Sequence, residues 1–327
     1  MAKQLIERKR DGTSFEYFLN EDRVIGRDLK AYIKSLRIPP AWRNVKISYN
    51  QKARILATGI DKAGRLQYIY HPAFRARKEK EKFERILRFA QALPKMRRIT
   101  GEHLRHSRLD KEKVLACIVR LMDKAYFRVG NEEYARENQS YGLTTIRSKH
   151  TRVKGGTIIF DFIGKSGQKH FKEITNKRLA KIIKKLDDLP GYQIFKYFDE
   201  DGKLRNIDSE DVNNYIREIM GEEFSAKDFR TWGGTLLASA ELAAAERAES
   251  IRERKKAVTV CVQNVARKLG NTPSIARNSY IDPRIIKAFV DSDDLAKIRK
   301  SVERIGHTNY LSADEQCVLR LLEGSAA

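Results

Sequence analysis

Residues 157–171 read TIIFDFIGKSGQKHF, a strand pattern within an otherwise helical part of the chain. Two runs of β-branched and aromatic residues flank the four residues Gly-Lys-Ser-Gly, a composition typical of a β-hairpin with a tight turn. We therefore expect a hairpin that carries Lys165 at its tip.

These residues do not complete a nucleotide-binding P-loop, because that motif requires glycine where this chain has Ile159. No nucleotide partner is expected.

The sequence before and after the hairpin predicts a mostly helical domain, because apolar residues recur there at helical spacing. A highly charged stretch from residue 75 onwards predicts one further amphipathic helix, at the point where the pattern of the chain changes. The other helices are expected at residues 111–129, 131–138, 177–186, 209–220, 226–255, 257–269, 283–291 and 313–322.

The first part of the chain has a different pattern, in which short β-rich runs are separated by turn-forming residues. These runs predict a small antiparallel sheet and lie at residues 45–49, 54–58 and 66–70. The predicted fold class is therefore α+β with two domains. A β-rich domain is expected at residues 1–85, and a larger, mostly helical domain with a β-hairpin at residues 86–327.

The composition indicates a polyanionic partner. The chain has 327 residues, with 66 Lys and Arg against 43 Asp and Glu, which gives a formal net charge of +23. Phosphate groups relieve the self-repulsion of such a chain, so nucleic acid is the expected partner. Because 41% of the residues are hydrophobic, the chain can form buried cores, and its charge does not come from a disordered tail.

Several classes of site are not expected. Cys117, Cys261 and Cys317 form no C-x-x-C pair, which argues against a disulfide framework or a structural zinc site. The six histidines include no H-x-x-x-H pair, so no metal site is expected. The most apolar run, at residues 235–245, is interrupted by Glu241, and we expect a soluble, intracellular protein without a membrane segment.

Three further residues are suited to phosphate chemistry. Arg128 precedes a Gly-Asn break at an expected helix end, and Arg230 lies among aromatic and small residues in KDFRTWGG, residues 227–234. Tyr280 lies nine residues after Asn271 of a Gly-Asn-Thr-Pro turn. Each of them, taken alone, also fits an ordinary surface or core position.

Taken together, these stretches resemble the type IB DNA topoisomerases, specifically the small poxvirus-like branch found in bacteria and large DNA viruses. The sequences SLRIPPAWRNV (35–45) and GIDKAGRLQYIYHP (59–72) are similar to the amino-terminal domain of that branch, so the resemblance covers nearly the whole chain. It implies ATP-independent relaxation of positive and negative supercoils by transient single-strand cleavage, a 3′-phosphotyrosyl intermediate, strand rotation and religation.

The resemblance also implies roles for individual residues. It makes Tyr280 the nucleophile, Arg128 and Arg230 the clamps on the non-bridging phosphate oxygens, and Lys165 the general acid for the leaving 5′ oxygen. Asn271 stands where many members have histidine, and an amide can donate a hydrogen bond but cannot transfer a proton. The arginine and lysine cluster makes a divalent metal unnecessary, and no cofactor is implied.

The resemblance further implies that the two domains form a C-shaped clamp, and that the protein acts as a monomer closed around double-stranded DNA. Such a protein is expected in the cytoplasm with the nucleoid if it is bacterial, or is encoded by a virus. Four residues are expected to contact the DNA: Gln67, Tyr68, Tyr70 and Tyr134.

Two other functions remain open on the sequence. A tyrosine site-specific recombinase uses the same chemistry, but its usual His-x-x-Arg is replaced here by Lys227-x-x-Arg230, and the β-rich first domain is unlike a helical core-binding domain. A non-enzymatic DNA-binding protein would need only the basic composition.

Overall fold

The computed structural model describes residues 4–245, 250–292, 294–303 and 310–324. The chain divides into two compact units, Met1–Lys82 and Phe83–Ala327, whereas the sequence places the domain boundary at residue 85. The predicted α+β fold class is confirmed, because the first unit contains an antiparallel sheet and the second is mostly helical.

The first unit is built on a six-stranded sheet with the order β3-β2-β1-β4-β5-β6, in which every neighbouring pair is antiparallel. One helix, α1, packs on it through Ile33, and its small core also contains Ile6 and Ile47. The elements are β1 (Leu5–Asp11), β2 (Ser14–Leu19), β3 (Asp22–Arg23), α1 (Arg27–Ser35), β4 (Arg43–Ser48), β5 (Ile55–Ile60) and β6 (Leu66–Tyr70).

The sequence analysis predicts β4, β5 and β6 but misses the first three strands. Strand β1 has the sequence LIERKRD, and Ile6 is its only fully buried residue. It therefore lacks the apolar alternation that marks a half-buried strand. Backbone pairing holds it instead, with β2 on one side and β4 on the other.

The second unit contains a three-stranded antiparallel sheet, β7-β8-β9, among the helices, and a small two-stranded ladder. None of the described helices combines the length and apolar composition that a membrane crossing requires. The helices are α2 (Pro72–His103, which begins in the first unit), α3 (Lys111–Ala125), α4 (Glu132–Asn138), α5 (Lys177–Asp187), α6 (Ser209–Met220), α7 (Ala226–Ala244), α8 (Ile251–Leu269), α9 (Pro273–Ile275), α10 (Pro283–Val290), α11 (Asp294–Glu303) and α12 (Ala313–Gly324). The strands are β7 (Thr151–Lys154), β8 (Thr157–Ile163), β9 (Lys169–Thr175), β10 (Lys196–Phe198) and β11 (Leu204–Asn206).

Two predicted helix boundaries are wrong. The helix predicted at 111–129 ends at Ala125, because Tyr126 adopts a left-handed conformation with φ of 56°. Arg128 therefore lies in the segment after the helix. The helix predicted at 226–255 ends at Ala244, and the break predicted near residue 256 does not exist. Helix α8 is continuous and begins after Ser250, whose side chain accepts a hydrogen bond from the Glu253 backbone N–H.

Helix α7 is buried on nearly all sides within the second unit, and it buries even its charged residues Asp228 and Arg230. Phe229 packs edge-on against Phe89 of α2, with 4.9 Å between the ring centroids. The Asp228 carboxylate accepts a hydrogen bond of 3.0 Å from Nη2 of Arg85, also on α2. These contacts fix the helix that carries Arg230.

A buried ion cluster joins α2, α3 and α12. Nη2 of Arg97 lies 2.7 Å from an Asp123 oxygen and 2.6 Å from a Glu315 oxygen, and the three side chains are 13%, 5% and 6% exposed. Removing the arginine would leave two carboxylates close together in a poorly solvated site.

We therefore expect Arg97→Met to lower the free energy of unfolding by about 3–5 kcal/mol, the usual cost of breaking a buried ion pair. The matched control is Arg98→Met, because Arg98 pairs with Glu102 on the surface of the same helix, with both side chains half exposed. The control should cost less than about 1 kcal/mol. Urea unfolding followed by circular dichroism measures both values, and equal losses would contradict a special role for the buried cluster.

Candidate active site

Tyr280 is fixed against helix α7. It ends a wide helical turn, Ala276–Tyr280, that closes with a 3.1 Å hydrogen bond from the Ile281 N–H to the Ala276 carbonyl. A Cβ atom on Gly234 would lie 2.6 Å from the Tyr280 carbonyl oxygen, so only glycine permits this approach. The Thr235 hydroxyl donates to that same carbonyl at 3.2 Å. The position of the tyrosine thus depends on the Gly-Gly-Thr sequence of α7.

Arg230 lies one helical turn before Gly234 and is 3% exposed. Its Nη1 donates to the Tyr126 carbonyl at 2.6 Å, and its Nη2 donates to the Leu269 carbonyl at 2.8 Å. These carbonyls lie at the carboxyl-terminal ends of α3 and α8. The guanidinium carbon is 5.0 Å from the ring centroid of Tyr280, so the arginine also sits over the candidate nucleophile.

Arg128 and Asn271 form the other side of the site. Nη2 of Arg128 donates to Oδ1 of Asn271 at 2.6 Å and to the Gly270 carbonyl at 3.1 Å. Gly270 ends α8 with φ of +62°, and a Cβ atom there would lie 2.3 Å from the His170 ring. Glycine is required at this position both for its backbone conformation and for space.

Three hydrogen-bond donors of this group are buried without an acceptor among the described residues. They are Nη1 of Arg128, Nε of Arg230 and Nδ2 of Asn271. An unmet buried donor costs about 1–3 kcal/mol, so such atoms need an explanation. Two of the donors belong to guanidinium groups, and one of these, that of Arg230, lies over the Tyr280 ring. The group therefore fits an anion with several oxygen acceptors, such as a phosphodiester.

The electrostatics of the site favour an ionised tyrosine. Burial opposes ionisation, but the positive charges of Arg230, Arg128 and Lys227 outweigh it and hold the pKa of Tyr280 below its usual value. Burial, reinforced by the charge of Arg230, lowers the pKa of Arg128 to about 10. The two guanidinium groups are therefore held together at an electrostatic cost that an anion between them would relieve.

Lys165 lies apart from this network. It begins the turn Lys165–Gly167 at the tip of the β8–β9 hairpin, as the sequence predicts. Its side chain is exposed and makes no hydrogen bond or ion pair to a described residue. The structure therefore brings together Arg128, Arg230, Asn271 and Tyr280, and leaves Lys165 on a projecting turn.

The predicted DNA-contact residues of the first unit lie on two faces of the edge strand β6. Alternation along a strand places Tyr68 and Tyr70 on one face and Gln67 on the other. The tyrosine rings stack with centroids 5.8 Å apart, and Tyr68 is 43% exposed. Gln67 Nε2 instead donates to an Asp61 carboxylate oxygen at 2.9 Å.

The fourth predicted DNA-contact residue lies in the second unit. Tyr134 is 40% exposed on the short helix α4, which begins after Asn131. The Asn131 side chain caps this helix by accepting a hydrogen bond from the Tyr134 backbone N–H at 3.0 Å. This cap sets the orientation of α4 just after the segment that carries Arg128.

Lys172 is a site residue that the sequence analysis misses. Its Nζ donates to the Ala125 carbonyl at 2.8 Å and to the Lys268 carbonyl at 3.2 Å, the ends of α3 and α8 again. Burial, together with the charges of Arg230 and Arg128, lowers its pKa to about 8. The alternation along β9 could have indicated this burial, because Lys172 lies on the same face of the strand as the buried residues His170 and Ile174.

The sequence is also related to those of known proteins. The family described as eukaryotic DNA topoisomerase I, catalytic core, matches residues 71–306, and the bacterial DNA topoisomerase IB N-terminal domain matches residues 14–61. The chain belongs to the type IB DNA topoisomerases. It is 36% identical over 285 residues to the DNA topoisomerase 1B of Acanthamoeba polyphaga mimivirus, covering 84% of each protein. It is 23% identical over 303 residues to the DNA topoisomerase 1B of Vaccinia virus (strain Copenhagen), covering 89% of this chain and 92% of that protein.

Membership in the family makes this topoisomerase a type I enzyme, an isomerase whose substrate is DNA. The predicted family and enzyme class are thus confirmed. The region matched by the catalytic-core family contains Arg128, Lys165, Arg230, Asn271 and Tyr280.

The pKa of Lys172 predicts how the stability of the topoisomerase depends on pH. The lysine titrates at about 8 in the folded protein and at 10.5 without the fold, so the unfolded state binds more protons between these values. The lysine therefore destabilises the fold below pH 8, and this penalty is lost as the pH rises to 10.5.

We expect the free energy of unfolding of the wild type to rise relative to that of Lys172→Met over this window, by roughly 3 kcal/mol at most. Urea unfolding at a series of pH values measures the difference. Lys169→Met is the matched control, because this exposed lysine lies on the same strand. The free energy of unfolding of the control should change with pH as that of the wild type does. If the free energy of unfolding of Lys172→Met also changed with pH in the same way as that of the wild type, the lowered pKa would be contradicted.

Proposed function

We propose that this topoisomerase relaxes positive and negative supercoils by cutting one strand of duplex DNA, holding the 3′ phosphate on Tyr280, allowing the other end to rotate and religating, without ATP. One observation carries the proposal. Arg128, Arg230 and Asn271 each keep a buried donor without an acceptor among the described residues, and the charges of the two arginines help to lower the pKa of Tyr280. This is a site prepared for a phosphate group next to a nucleophile.

In the proposed reaction, the Tyr280 hydroxyl oxygen attacks the phosphorus while its proton leaves to solvent or a neighbouring group. A phosphotyrosyl bond forms as the bond from phosphorus to the 5′ oxygen breaks. The new ester retains the free energy of the phosphodiester, so the reverse attack by the 5′ hydroxyl reseals the strand. No external energy source is needed.

The donors act on the charge that develops during this attack. Arg128 and Arg230 present planar, permanently charged groups to the non-bridging oxygens, and their positions are already fixed by the carbonyls of α3 and α8. Asn271 adds a neutral donor. Because its Oδ1 accepts from Arg128, its Nδ2 remains to bond a phosphoryl oxygen.

We assign the proton for the leaving 5′ oxygen to Lys165. A general acid must lie within hydrogen-bond reach of the atom that it protonates. Lys165 has no described partner that holds it away, and it stands at a tight turn that projects from the unit. We propose that this turn moves onto the bound DNA and brings the amine to the 5′ oxygen.

The same proposal includes the binding of DNA by a monomer, with the two units as a clamp. The net charge of +23 supports a long contact with phosphates. The exposed Tyr68 and Tyr134 supply aromatic and hydroxyl groups that suit base edges and phosphates in the two units.

Relaxation of supercoiled plasmid in EDTA, without ATP and with a denaturing quench, tests the proposed chemistry. The wild type should relax the plasmid and form an adduct linked to a 3′ phosphate. Tyr280→Phe should bind DNA with similar affinity but give neither relaxation nor adduct, because it lacks the attacking oxygen. Tyr192→Phe serves as the control, since Tyr192 is 84% exposed and outside the site.

The outcomes separate the alternatives. An adduct without relaxation would favour recombinase-type strand exchange over topoisomerase activity. An adduct that persists in Tyr280→Phe would place the nucleophile elsewhere. Tight binding by the wild type without any adduct would reduce the protein to a DNA-binding role.

A substrate with a better leaving group tests Lys165. We expect Lys165→Ala to slow cleavage by roughly 10²–10⁴-fold, the usual contribution of a general acid. Replacing the bridging 5′ oxygen by sulfur at the cleavage site should restore most of the rate, because a thiolate leaves without protonation. Lys169→Ala, on the next strand of the hairpin, should need no rescue. Equal defects of Lys165→Ala on both substrates would contradict the proton-donor role.

A further inference from the structure

A second group of side chains with metal-binding chemistry lies where α2 ends and α3 begins. His103 is the last residue of α2, His106 lies in the connection, and Glu112 lies in the first turn of α3. One ligand-type atom from each residue lies within 4.8 Å of those of the other two. The site around Tyr280 does not use these residues.

Both imidazole rings are oriented by a partner on one nitrogen. Nδ1 of His103 shares a hydrogen bond of 2.7 Å with the Tyr215 hydroxyl, and Nδ1 of His106 shares one of 2.9 Å with an Asp110 oxygen. Metal-binding histidines commonly have one ring nitrogen held by a carboxylate or another polar group. The Glu112 carboxylate approaches His106 on the same nitrogen, with 3.7 Å between Oε2 and Nδ1.

The surroundings favour a cation although the chain as a whole is strongly basic. Asp110, Glu112 and Tyr215 also line an adjoining cavity of about 710 Å³. Seven carboxylates line this cavity, and Lys111 is their one basic companion among the described lining residues. That lysine is itself neutralised by Asp211, with 2.5 Å between Nζ and an oxygen. Two more of the carboxylates are also paired, Asp199 with Arg205 and Asp201 with Lys203. The Lys113 amine donates to the His106 carbonyl. The remaining carboxylates, Asp110, Glu112, Glu200 and Glu218, pair with no lysine or arginine among the described residues and supply the negative charge of the cavity.

We propose that His103, His106 and Glu112 bind a divalent transition-metal ion, with Zn²⁺ as the best fit. Two imidazoles and one carboxylate are a common zinc ligand set, whereas Mg²⁺ and Ca²⁺ prefer oxygen ligands alone. Zinc holds nitrogen and oxygen ligands at about 2.0–2.2 Å, so the three atoms must come closer together than 4.8 Å. The Glu112 side chain is 59% exposed and can rotate to close the site.

The ion would act as a structural tie. It would join the end of α2 to the beginning of α3, the helix whose last carbonyl accepts a hydrogen bond from Lys172. The sequence predicts no metal site, because it contains no H-x-x-x-H pair and no cluster of histidine and carboxylate at a usual metal spacing. The pair here is H-x-x-H, and the carboxylate follows six residues later on another helix.

Zinc titration of the chelator-treated full-length protein tests this site. Isothermal calorimetry with ZnCl₂ should show one equivalent bound, and the same addition should raise the midpoint of thermal unfolding. Substitution of Co²⁺ should give a visible absorption spectrum that reports nitrogen and oxygen ligands. We expect His106→Ala and Glu112→Gln each to weaken zinc binding by at least 10-fold.

Glu102→Gln is the matched control, because this carboxylate immediately precedes His103 but pairs with Arg98 instead. It should bind zinc as the wild type does. Glu112→Gln changes an exposed group and keeps the protein folded, which circular dichroism verifies. Failure to bind one equivalent, or an affinity unchanged in both His106→Ala and Glu112→Gln, would overturn the proposal. Binding through other groups, including the thiols, would give that second result.

Discussion

The carboxyl-terminal ends of α3 and α8 meet inside the second unit, and their unpaired carbonyls determine how the active site is built. The last carbonyls of a helix have no partner within it and carry the negative end of the helix dipole. Five such oxygens, from residues 125, 126, 268, 269 and 270, accept hydrogen bonds from side chains. All five bonds come from three cations: Lys172, Arg230 and Arg128.

This arrangement explains how cations can be held close together before any anion arrives. Burial lowers the pKa of both arginines, and the charge of Arg230 lowers the pKa of Arg128 further. The helix-end carbonyls compensate part of that cost while using only some of the donors. Nη1 of Arg128 and Nε of Arg230 have no acceptor among the described residues. In the reaction proposed above, this loss of stability is the cost of preorganisation, because the groups would need no reorientation to bind a phosphate.

The sequence predicts the fold class and the hairpin well, because these depend on local patterns. Four of the residues that it selects from separated motifs, Arg128, Arg230, Asn271 and Tyr280, lie close together in the fold. The sequence does not predict elements whose stability comes from tertiary contacts. Strand β1 has one buried side chain and is held by backbone pairing with its neighbouring strands. Helix α3 ends at a left-handed residue that is Tyr126 rather than glycine, so the sequence does not indicate where the helix ends. Lys172 was missed for a similar reason. A lysine on a strand is common, and the sequence does not show that the amine of this lysine bonds the carboxyl-terminal ends of two helices.

The glycines of the site show the same dependence on tertiary structure. A Cβ atom on Gly233 would lie 2.2 Å from the Tyr126 ring, and one on Gly234 would lie 2.6 Å from the Tyr280 carbonyl oxygen. In the sequence these glycines only weaken a helix, since glycine lowers helical propensity. In the fold they let the chain at either side of α7 approach its backbone, and this brings the arginine and the tyrosine together.

The Asn271 side chain is held by the residues around the end of α8, and its amide suits this position. Its neighbour Gly270 ends α8, and Arg128 donates to its Oδ1, so the amide has one acceptor occupied and one donor available. A neutral histidine could make the same pair of bonds, accepting with one ring nitrogen and donating with the other, but protonation would turn its acceptor into a second donor facing the arginine. An amide has no such titration. At this position the chain therefore has an acceptor and a donor whose arrangement does not change with pH.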